Sequence, residues 1–191
     1  AFTTSTGYGI AKYDNPEELS VSDRNNIGYQ YTDCPLYWIS VIYLNFAEAK
    51  AEMGSLTQDD LNNSINKLQA RVVLPAMTTT PDADPANNMG VSNLIWEIRR
   101  CRRCELIMDN WYRYWDLIRW HQLDKLDSTK YPNTMLGANV SNVPDCEEAT
   151  KNGYIDASDA QIRTYEAKHY FYPIPTTQLT LNKNMKQNPG W

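Results

Sequence analysis

Histidine and cysteine, the side chains on which many metal and redox centres are built, are scarce in this chain. There are two histidines and four cysteines among 191 residues. His121 and His169 are not spaced as a paired zinc motif, and a zinc site would need further ligands at compatible spacings. Cys101 and Cys104 form a C-x-x-C pair, but it falls inside a predicted helix, whereas redox pairs open one. We therefore predict no metal site.

Long apolar runs are also missing. The most apolar stretch is PLYWISVIYLNFA, at Pro35–Ala47, and it is shorter than the roughly 18 residues that a membrane-spanning helix requires. We predict a core helix there. The sequence has no signal peptide at Ala1 and does not begin with methionine, so we expect a fragment or a processed chain.

An excess of basic residues is absent as well. Lysine and arginine number 18 against 23 aspartates and glutamates, which gives a net charge of -5. Nucleic-acid-binding proteins present clustered basic residues on one face, so this class is excluded. The densest basic cluster, RRCRR at Arg99–Arg103, lies within an apolar helical pattern, which favours a structural role over an anion site. With 42% hydrophobic residues the chain has enough apolar side chains for a core.

The first predicted helix begins at Cys34 or Pro35 and runs to about Met53, with Gly54 as its stop signal. Its apolar side chains surround most of the helix, which is typical of a helix buried on two sides. One face carries Leu36, Ile39, Tyr43 and Phe46, and the set is extended by Trp38, Val41 and Ile42.

A second predicted helix follows at once. Thr57 is placed to cap it, with Asp60 in the position of a capping-box acid, and Pro75 ends it. Leu61, Ile65, Leu68 and Val72 give it an apolar stripe. Because the link between the two helices is short, we predict an antiparallel helical hairpin, and hence a mainly α fold.

The third predicted helix spans Ser92 to Met108, with Leu94, Ile98, Cys101 and Met108 on one face. Glu105 falls within this apolar stripe. Since an isolated buried charge costs several kcal/mol, we predict that its carboxylate is held by one of the nearby arginines, Arg102, Arg113 or Arg119.

The stretch DNWYRYWDLIRW, at Asp109–Trp120, allows two interpretations. Its aromatic side chains form either a platform on which a ligand stacks or the packed side of a helix. Aliphatic residues complete the aromatic stripe, and Arg and Asp alternate through it, which favours the packed helix. We predict that Trp111, Trp115 and Trp120 are core residues, with one exposed ring at the helix end left open.

Two loops and the tail complete the chain. We predict irregular loops at Thr78–Asn88 and Tyr131–Tyr154. Asp82, Asp84 and Asn87 lie in the first loop, but it lacks the glycine and the distal glutamate of an EF-hand, so a solvated loop is favoured over a calcium site. The tail contains PTTQLTLN, which predicts a short helix, and its many apolar residues predict that it docks against the body.

Four passages, in order, resemble the SusD/RagB family. They are YWISVIYLNFAEAKAEMG, SINKLQARVVLP, IRRCRRCELIMDNWYRYWDLIRW and YFYPIPTTQLTLNKNMKQNPGW. The family often has Glu-Gly where this chain has Asp109 and Asn110, and Cys101 and Cys104 replace a charged and an aliphatic residue. These departures affect one helix junction and leave the resemblance intact.

The resemblance implies a mainly α fold of tetratricopeptide-like helical hairpins with long irregular loops and a docked, extended C-terminal tail. It implies that residues 1–191 are the C-terminal part of a single SusD/RagB-like domain whose upstream part is not in this chain. The implied protein is a lipoprotein on the extracellular face of the outer membrane, anchored through an upstream cysteine. It binds a nutrient, for which a glycan is expected, for a SusC-like TonB-dependent transporter, and it is not an enzyme and has no cofactor.

Three functions follow from these patterns as alternatives. A glycan-binding component would place its site on the two loops, since loops carry variable binding residues, although no individual substrate-binding residue is identified. A helical-repeat scaffold would bind peptides or protein partners in a concave groove. A glycoside hydrolase would need two carboxylates facing each other across a cleft. No such pair is identified, so we predict no catalytic residue.

Overall fold

The structure, a computed structural model, describes residues 4–10, 12, 20–25, 35–109, 111–143, 150–158 and 161–191, with residues 24 and 25 described by their backbone. The helices are α1 (Val21–Asn25), α2 (Ile39–Glu52), α3 (Gln58–Asn62), α4 (Ile65–Arg71), α5 (Asn93–Glu105), α6 (Tyr112–Arg119) and α7 (Thr176–Leu181). Strands β1 (Leu136–Asn139), β2 (Thr150–Lys151) and β3 (Tyr154–Asp156) form an antiparallel sheet in the order β1–β3–β2. The predicted mainly α class is confirmed.

The chain divides into two compact units. The helical unit is Cys34–Asp116, and the mixed unit combines Ala1–Asp33 with Leu117–Trp191. The helical unit has one hydrophobic core, formed by Val41, Leu44, Ala47, Leu61, Ile65, Leu68, Met77, Ile98 and Leu106. These side chains come from α2, α3, α4, α5 and the residues that follow α4 and α5, so the core joins all three regions that the sequence predicts as helical.

The first helix is shorter than predicted. It begins at Ile39 rather than at Cys34 or Pro35, because residues 36 and 37 form a bend before it. Its end is as predicted, since Gly54 adopts a left-handed φ of 67°. The amide N–H of Ser55 then donates to the carbonyl oxygen of Lys50 at 2.9 Å, which satisfies one of the free carbonyls at the helix end.

The buried face of α2 differs from the predicted one. Val41, Leu44 and Ala47 are buried, whereas Leu36, Ile39 and Phe46 are exposed. Both faces of the helix are apolar, so periodicity alone does not choose between them. The face that carries Glu48 lies towards α5, where the Glu48 carboxylate accepts from Arg99 Nε at 3.1 Å.

The second predicted helix is two short helices, α3 and α4. Thr57 and Asp60 form the predicted capping box at the start of α3. The helix is interrupted at Asn63 and Ser64, where Ser64 leaves helical geometry (φ -132°, ψ -99°). A buried serine of this kind competes with the helix for backbone hydrogen bonds, and the Ser64 hydroxyl donates to the Asp60 carbonyl at 2.5 Å.

Helix α5 begins close to the predicted start, and Ser92 is its cap, because the Ser92 hydroxyl accepts from the Ile95 amide at 3.3 Å. It ends at Glu105 rather than at Met108, which has a left-handed φ of 63° and is exposed. Ile98 lies in the core as predicted, with Leu94 and Cys101 packed against it. Glu105 is held by an arginine, as predicted. The pair that the structure records is with Arg71, at 2.6 Å, and Arg71 is an arginine that the sequence pattern did not nominate.

Arg102 is the central polar residue of the helical unit. Its side chain is 5% exposed, and Nε donates to Asp116 Oδ2 at 2.7 Å. Its Nη1 donates to Asn45 Oδ1 at 2.8 Å, and its guanidinium lies 5.8 Å from the ring of Tyr112. A single side chain of α5 therefore binds both α2 and α6.

The C-terminal tail folds back within the mixed unit. The Gln187 amide bridges both backbone groups of Ile174, at 2.8 and 2.9 Å. The Trp191 indole N–H donates to the carbonyl oxygens of Lys168 and Phe171. The predicted short helix is α7. These contacts join residues of the tail to one another, and Phe171, Tyr172 and Leu181 are exposed, so docking of the tail against the body stays a prediction. The tetratricopeptide-like character of the hairpins stays a prediction.

Replacing Arg102 with methionine is expected to lower the free energy of unfolding by about 3–5 kcal/mol, because Asp116 is left as a buried charge without this partner. Arg103→Met is the matched control, since Arg103 is the next residue of α5 and is exposed, and it is expected to change stability by no more than about 0.5 kcal/mol. Urea unfolding of both variants measures the difference. Equal stabilities would refute the central role of Arg102.

The capping box is expected to make the stability of the fold depend on pH. The Lys50 ammonium, the Thr57 hydroxyl and the Thr57 amide lower the pKa of Asp60 from 3.8 to about 2. A carboxylate whose pKa is lower in the folded state stabilises the fold above its unfolded pKa and loses this contribution as it becomes protonated. Asp60→Asn is therefore expected to be less stable than the wild type near neutral pH, with the difference disappearing as pH falls from about 4 to about 2. A constant difference across this window in chemical unfolding would contradict it.

Candidate ligand-binding site

One of the two loops that the sequence nominates borders a groove in the helical unit. The groove lies between the segment after α4 and helix α5, and it has a volume of about 510 Å³. This is within the range of about 300–1,000 Å³ that small-molecule sites occupy. Its apolar wall comes from Leu74, Pro75, Met77 and Pro81, and its polar side chains are Gln69, Thr78, Thr80, Asp82, Glu97 and Arg100.

The wall of the groove is held by Asn66, a buried residue of α4. Its amide donates to the carbonyl oxygen of Met77 at 3.1 Å and accepts from the Met77 amide N–H at 2.7 Å. Gln58 of α3 donates to the same carbonyl at 3.0 Å. These bonds replace a strand partner for an irregular segment, so the backbone at Met77 is fixed although it belongs to no helix or strand.

The opposite wall, on α5, carries an ion pair between Glu97 and Arg100, which lie one helical turn apart. Arg100 donates to Glu97 Oε2 through Nε at 2.9 Å and through Nη2 at 2.6 Å. The hydrogen bond with Glu97 raises the pKa of Arg100 above its ordinary value. Because this pair neutralises itself, the remaining formal charge in the groove is that of Asp82, which is exposed.

Gln69 differs from the other polar residues of the groove. Its Oε1 is buried, and no hydrogen-bond donor reaches it within the described part of the chain. A buried carbonyl without a donor costs about 1–3 kcal/mol. Gln69 is therefore a position at which the fold gives up stability.

The second nominated loop borders a smaller groove in the mixed unit. Its volume of about 210 Å³ is below the usual range for a ligand site. Polar residues also line it, among them Ser128, Lys151 and Ser158. Ser158 is already bound to Asp156, at 2.6 Å between the hydroxyl and Oδ1. The small volume of this groove and the pairing of Ser158 with Asp156 both favour the groove of the helical unit as the candidate ligand site.

The structure corrects part of the prediction for the aromatic stretch DNWYRYWDLIRW. Trp120 is buried as predicted, at 8% exposure, but Trp111 is 80% exposed and Trp115 is 53% exposed. Trp111 precedes α6 and has a left-handed φ of 59°, so it does not continue the helical face assumed from the sequence. The pairing of Asp116 with Arg102 turns a neighbouring side of α6 towards the core, and this leaves Trp115 outside it.

Several other candidates have structural roles. Asp84 accepts from the Trp96 indole N–H at 2.9 Å and from the Ala86 amide at 2.8 Å, and both bonds lower its pKa. In the described ranges, no three side chains of His, Cys, Asp or Glu are grouped so that they could hold a metal ion.

The C-x-x-C pair lies inside α5, as predicted, and both its cysteines are free thiols. Burial raises the pKa of Cys101 to about 11, so this thiol is a poor nucleophile near neutral pH. Cys34 and Cys146 lie outside the described residues.

No helix in the described part of the chain combines the length and the apolar composition that crossing a membrane would need.

The chain belongs to the SusD family, whose family model matches residues 1–191, so the resemblance seen in the sequence is confirmed. Among solved structures, it is similar to a SusD-like protein from Bacteroides fragilis NCTC 9343, with 25% sequence identity and a TM-score of 0.52. This similarity covers 80% of the present chain and 25% of the other chain. The chain thus matches about a quarter of the length of that relative. No curated protein matches it.

Gln69 and Asn66 are expected to respond oppositely to substitution. Gln69→Met keeps the length of the side chain and removes the carbonyl without a donor, so the free energy of unfolding should be unchanged or higher. Asn66→Leu leaves the Met77 amide and carbonyl without their partner and should cost about 1–3 kcal/mol. Thermal or urea unfolding distinguishes the two, and a clear loss of stability in Gln69→Met would contradict this account of the groove.

Proposed function

We propose that this chain is part of a cell-surface protein that binds a glycan nutrient and delivers it to a SusC-like TonB-dependent transporter. The observation that carries the proposal is membership of the SusD family over the whole chain, a family of cell-surface glycan-binding proteins. Family members are binding proteins rather than enzymes, which supports a role in capture rather than in catalysis. The ligand site we assign is the groove of the helical unit.

The chemistry of the groove supports a polyhydroxylated ligand. Sugar hydroxyl groups both donate and accept hydrogen bonds. The Asp82 carboxylate offers acceptors, while Arg100 and the hydroxyls of Thr78 and Thr80 offer donors. The aliphatic wall at Leu74 and Pro81 offers contact to the apolar faces of a sugar ring. A groove open to solvent also accepts a chain that continues beyond both ends.

The proposed setting is the outer membrane. Family members are typically surface lipoproteins of that membrane, and they generally associate with SusC-like transporters. We place this protein on the extracellular face, attached by a lipid on a cysteine that precedes residue 1. In this proposal residues 1–191 are the C-terminal part of a single SusD/RagB-like domain.

The alternative is a helical-repeat scaffold that binds peptides or protein partners. An extended peptide presents backbone N–H and carbonyl groups, and an open groove with both donors and acceptors can pair with them. The alternative differs in its ligand, since such a protein binds peptides and shows no affinity for glycans. A direct comparison of the two ligand classes therefore separates the proposals.

Affinity gel electrophoresis of the full-length protein against plant, host and microbial polysaccharides tests the proposed ligand class. At least one glycan is expected to retard the protein. Asp82→Ala should weaken that interaction about tenfold or more, because a hydrogen bond to a charged group contributes about 1.5–3 kcal/mol. Isothermal titration with an oligosaccharide of the retarding glycan gives the dissociation constant.

Asp59→Ala is the matched control for charge, because Asp59 is an exposed aspartate of α3 outside the groove. Its affinity is expected to equal that of the wild type. If a glycan retards the protein but both variants lose affinity equally, the groove is not the binding site. A glycan would then remain the ligand class. Binding of peptides with no retardation by any glycan would favour the scaffold.

A further inference from the structure

Three arginines of the basic cluster RRCRR have acidic partners, and the remaining one has none in the described part of the chain. The pairs are Arg99 with Glu48 and Glu52, Arg100 with Glu97, and Arg102 with Asp116. Arg103 is exposed, and no ion pair or hydrogen bond of its guanidinium falls within the described residues. The structural role favoured by the sequence therefore applies to three arginines of the cluster and leaves Arg103 available.

Arg113 of α6 is a second arginine of this kind. It is half-buried, and its guanidinium has no hydrogen bond or ion pair among the described residues. The carboxylate of Asp116 attracts it, but that carboxylate already accepts from Arg102 Nε at 2.7 Å. A guanidinium has five N–H donors, and donors that are withdrawn from water without acceptors are unfavourable. Arg113 thus has unused capacity for an acceptor.

Arg103 and Arg113 lie near each other where α5 meets α6. Arg102, which precedes Arg103, contacts both Tyr112 and Asp116, and these two residues lie on either side of Arg113 in the chain. Burial and the positive charge of Arg103 lower the pKa of Arg113 below its ordinary value. Since two neighbouring cations repel each other, an anion that contacts both would relieve the repulsion.

The chemistry of the pair fits an oxyanion group. A guanidinium is planar and donates two parallel N–H bonds to two oxygens of one carboxylate or of one tetrahedral oxyanion. The exposure of Arg103 leaves the pair open to solvent. The chain as a whole has a net charge of -5, so its overall field does not attract anions. Recognition of an anion therefore depends on these local side chains.

The pair continues the α5 wall of the groove. Arg100 lines the groove, and Arg103 follows it by one helical turn, about 4.5 Å along the axis. Inside the groove Glu97 neutralises Arg100, and Asp82 adds a negative charge, so the groove itself does not favour an acid. We infer that Arg103 and Arg113 bind an oxyanion group, a carboxylate or a sulfate, of an acidic glycan whose neutral part lies in the groove. The inference rests on the proposed function and adds the charge class of the ligand.

Matched acidic and neutral polysaccharides test the charge class. The full-length protein is run in affinity gels with polygalacturonate, alginate and chondroitin sulfate, each beside its carboxyl-reduced form and, for chondroitin sulfate, also its desulfated form. At least one acidic form is expected to retard the protein, and removal of the bound oxyanion should weaken binding about tenfold or more, because charge-assisted hydrogen bonds are lost. The form that loses affinity identifies the carboxylate or the sulfate as the recognised group.

The other outcomes of these gels separate the inference from the proposed function. Equal retardation by acidic and neutral forms, or retardation by neutral polysaccharides alone, overturns the inference and leaves glycan binding intact. An absence of retardation by every acidic and neutral polysaccharide overturns both.

Substitution of the arginines locates the site. Arg113→Gln is expected to weaken binding of the retarding acidic glycan about tenfold or more and to leave the affinity for its neutral form unchanged. Arg103→Gln should act in the same direction, and it decides the matter if Arg113→Gln does not fold, because Arg103 is exposed. Arg163→Gln is the matched control for net charge, since Arg163 is an exposed arginine of the mixed unit. Unchanged affinity in Arg103→Gln, or an equal loss in Arg163→Gln, overturns the inference.

Labelling with phenylglyoxal tests whether the pair is open in the full-length protein. This reagent modifies accessible guanidinium groups, and mass spectrometry of peptides gives the rate at each arginine. Arg103 is expected to react in the free protein, and to react about tenfold more slowly when the retarding acidic glycan is present at ten times its Kd. The rate at Arg163 should not change. If Arg103 is already protected without glycan, another part of the protein covers it, and the inference is overturned.

Discussion

The guanidinium of Arg102 sets the arrangement of the helical unit. It is almost fully buried, and it binds Asp116 of α6 and Asn45 of α2. A buried cation is tolerated only when acceptors satisfy its N–H groups. Helices α2 and α6 must therefore pack so that Asn45 and Asp116 both reach the guanidinium. Whether such a pair adds net stability is a separate matter from its effect on orientation. Here it decides which side of α6 faces the core, and with it the positions of the neighbouring tryptophans.

The groove follows from the same packing. Helix α4 ends at Arg71, and the chain continues along α5 without regular structure. Asn66 holds the backbone at Met77 from within α4, and the Glu97–Arg100 pair forms the facing wall. The polar side chains are thus carried by a fixed support, which is the condition under which weak hydrogen bonds to a ligand are effective. The unsatisfied carbonyl of Gln69, beside this groove, reduces the stability of the same unit.

Two surfaces of the helical unit differ in chemistry. The polar lining of the groove, with its donors and acceptors, supports the solvated ligand that we propose. The exposed side of α2 carries apolar residues instead, among them Ile39, Ile42 and Phe46.

The sequence by itself determined the helical regions, several of their caps and the family. Thr57 with Asp60, and Gly54, act through neighbours a few residues away, so their roles are readable from local order. The class of charge partner for Glu105 was also predictable, because a carboxylate within an apolar stripe needs a cation. The short helix of the tail and the position of the C-x-x-C pair inside α5 were local features of the same kind.

Only the tertiary structure decided which of two apolar faces of α2 is buried, since both have helical periodicity. It also decided that Arg71 holds Glu105, that Ser64 interrupts the second helix, and that Trp111 and Trp115 lie outside the core. The groove side chains come from two segments, at residues 69–82 and 97–100. No local pattern encodes their meeting, because it depends on how α4 and α5 pack around a core shared with α2.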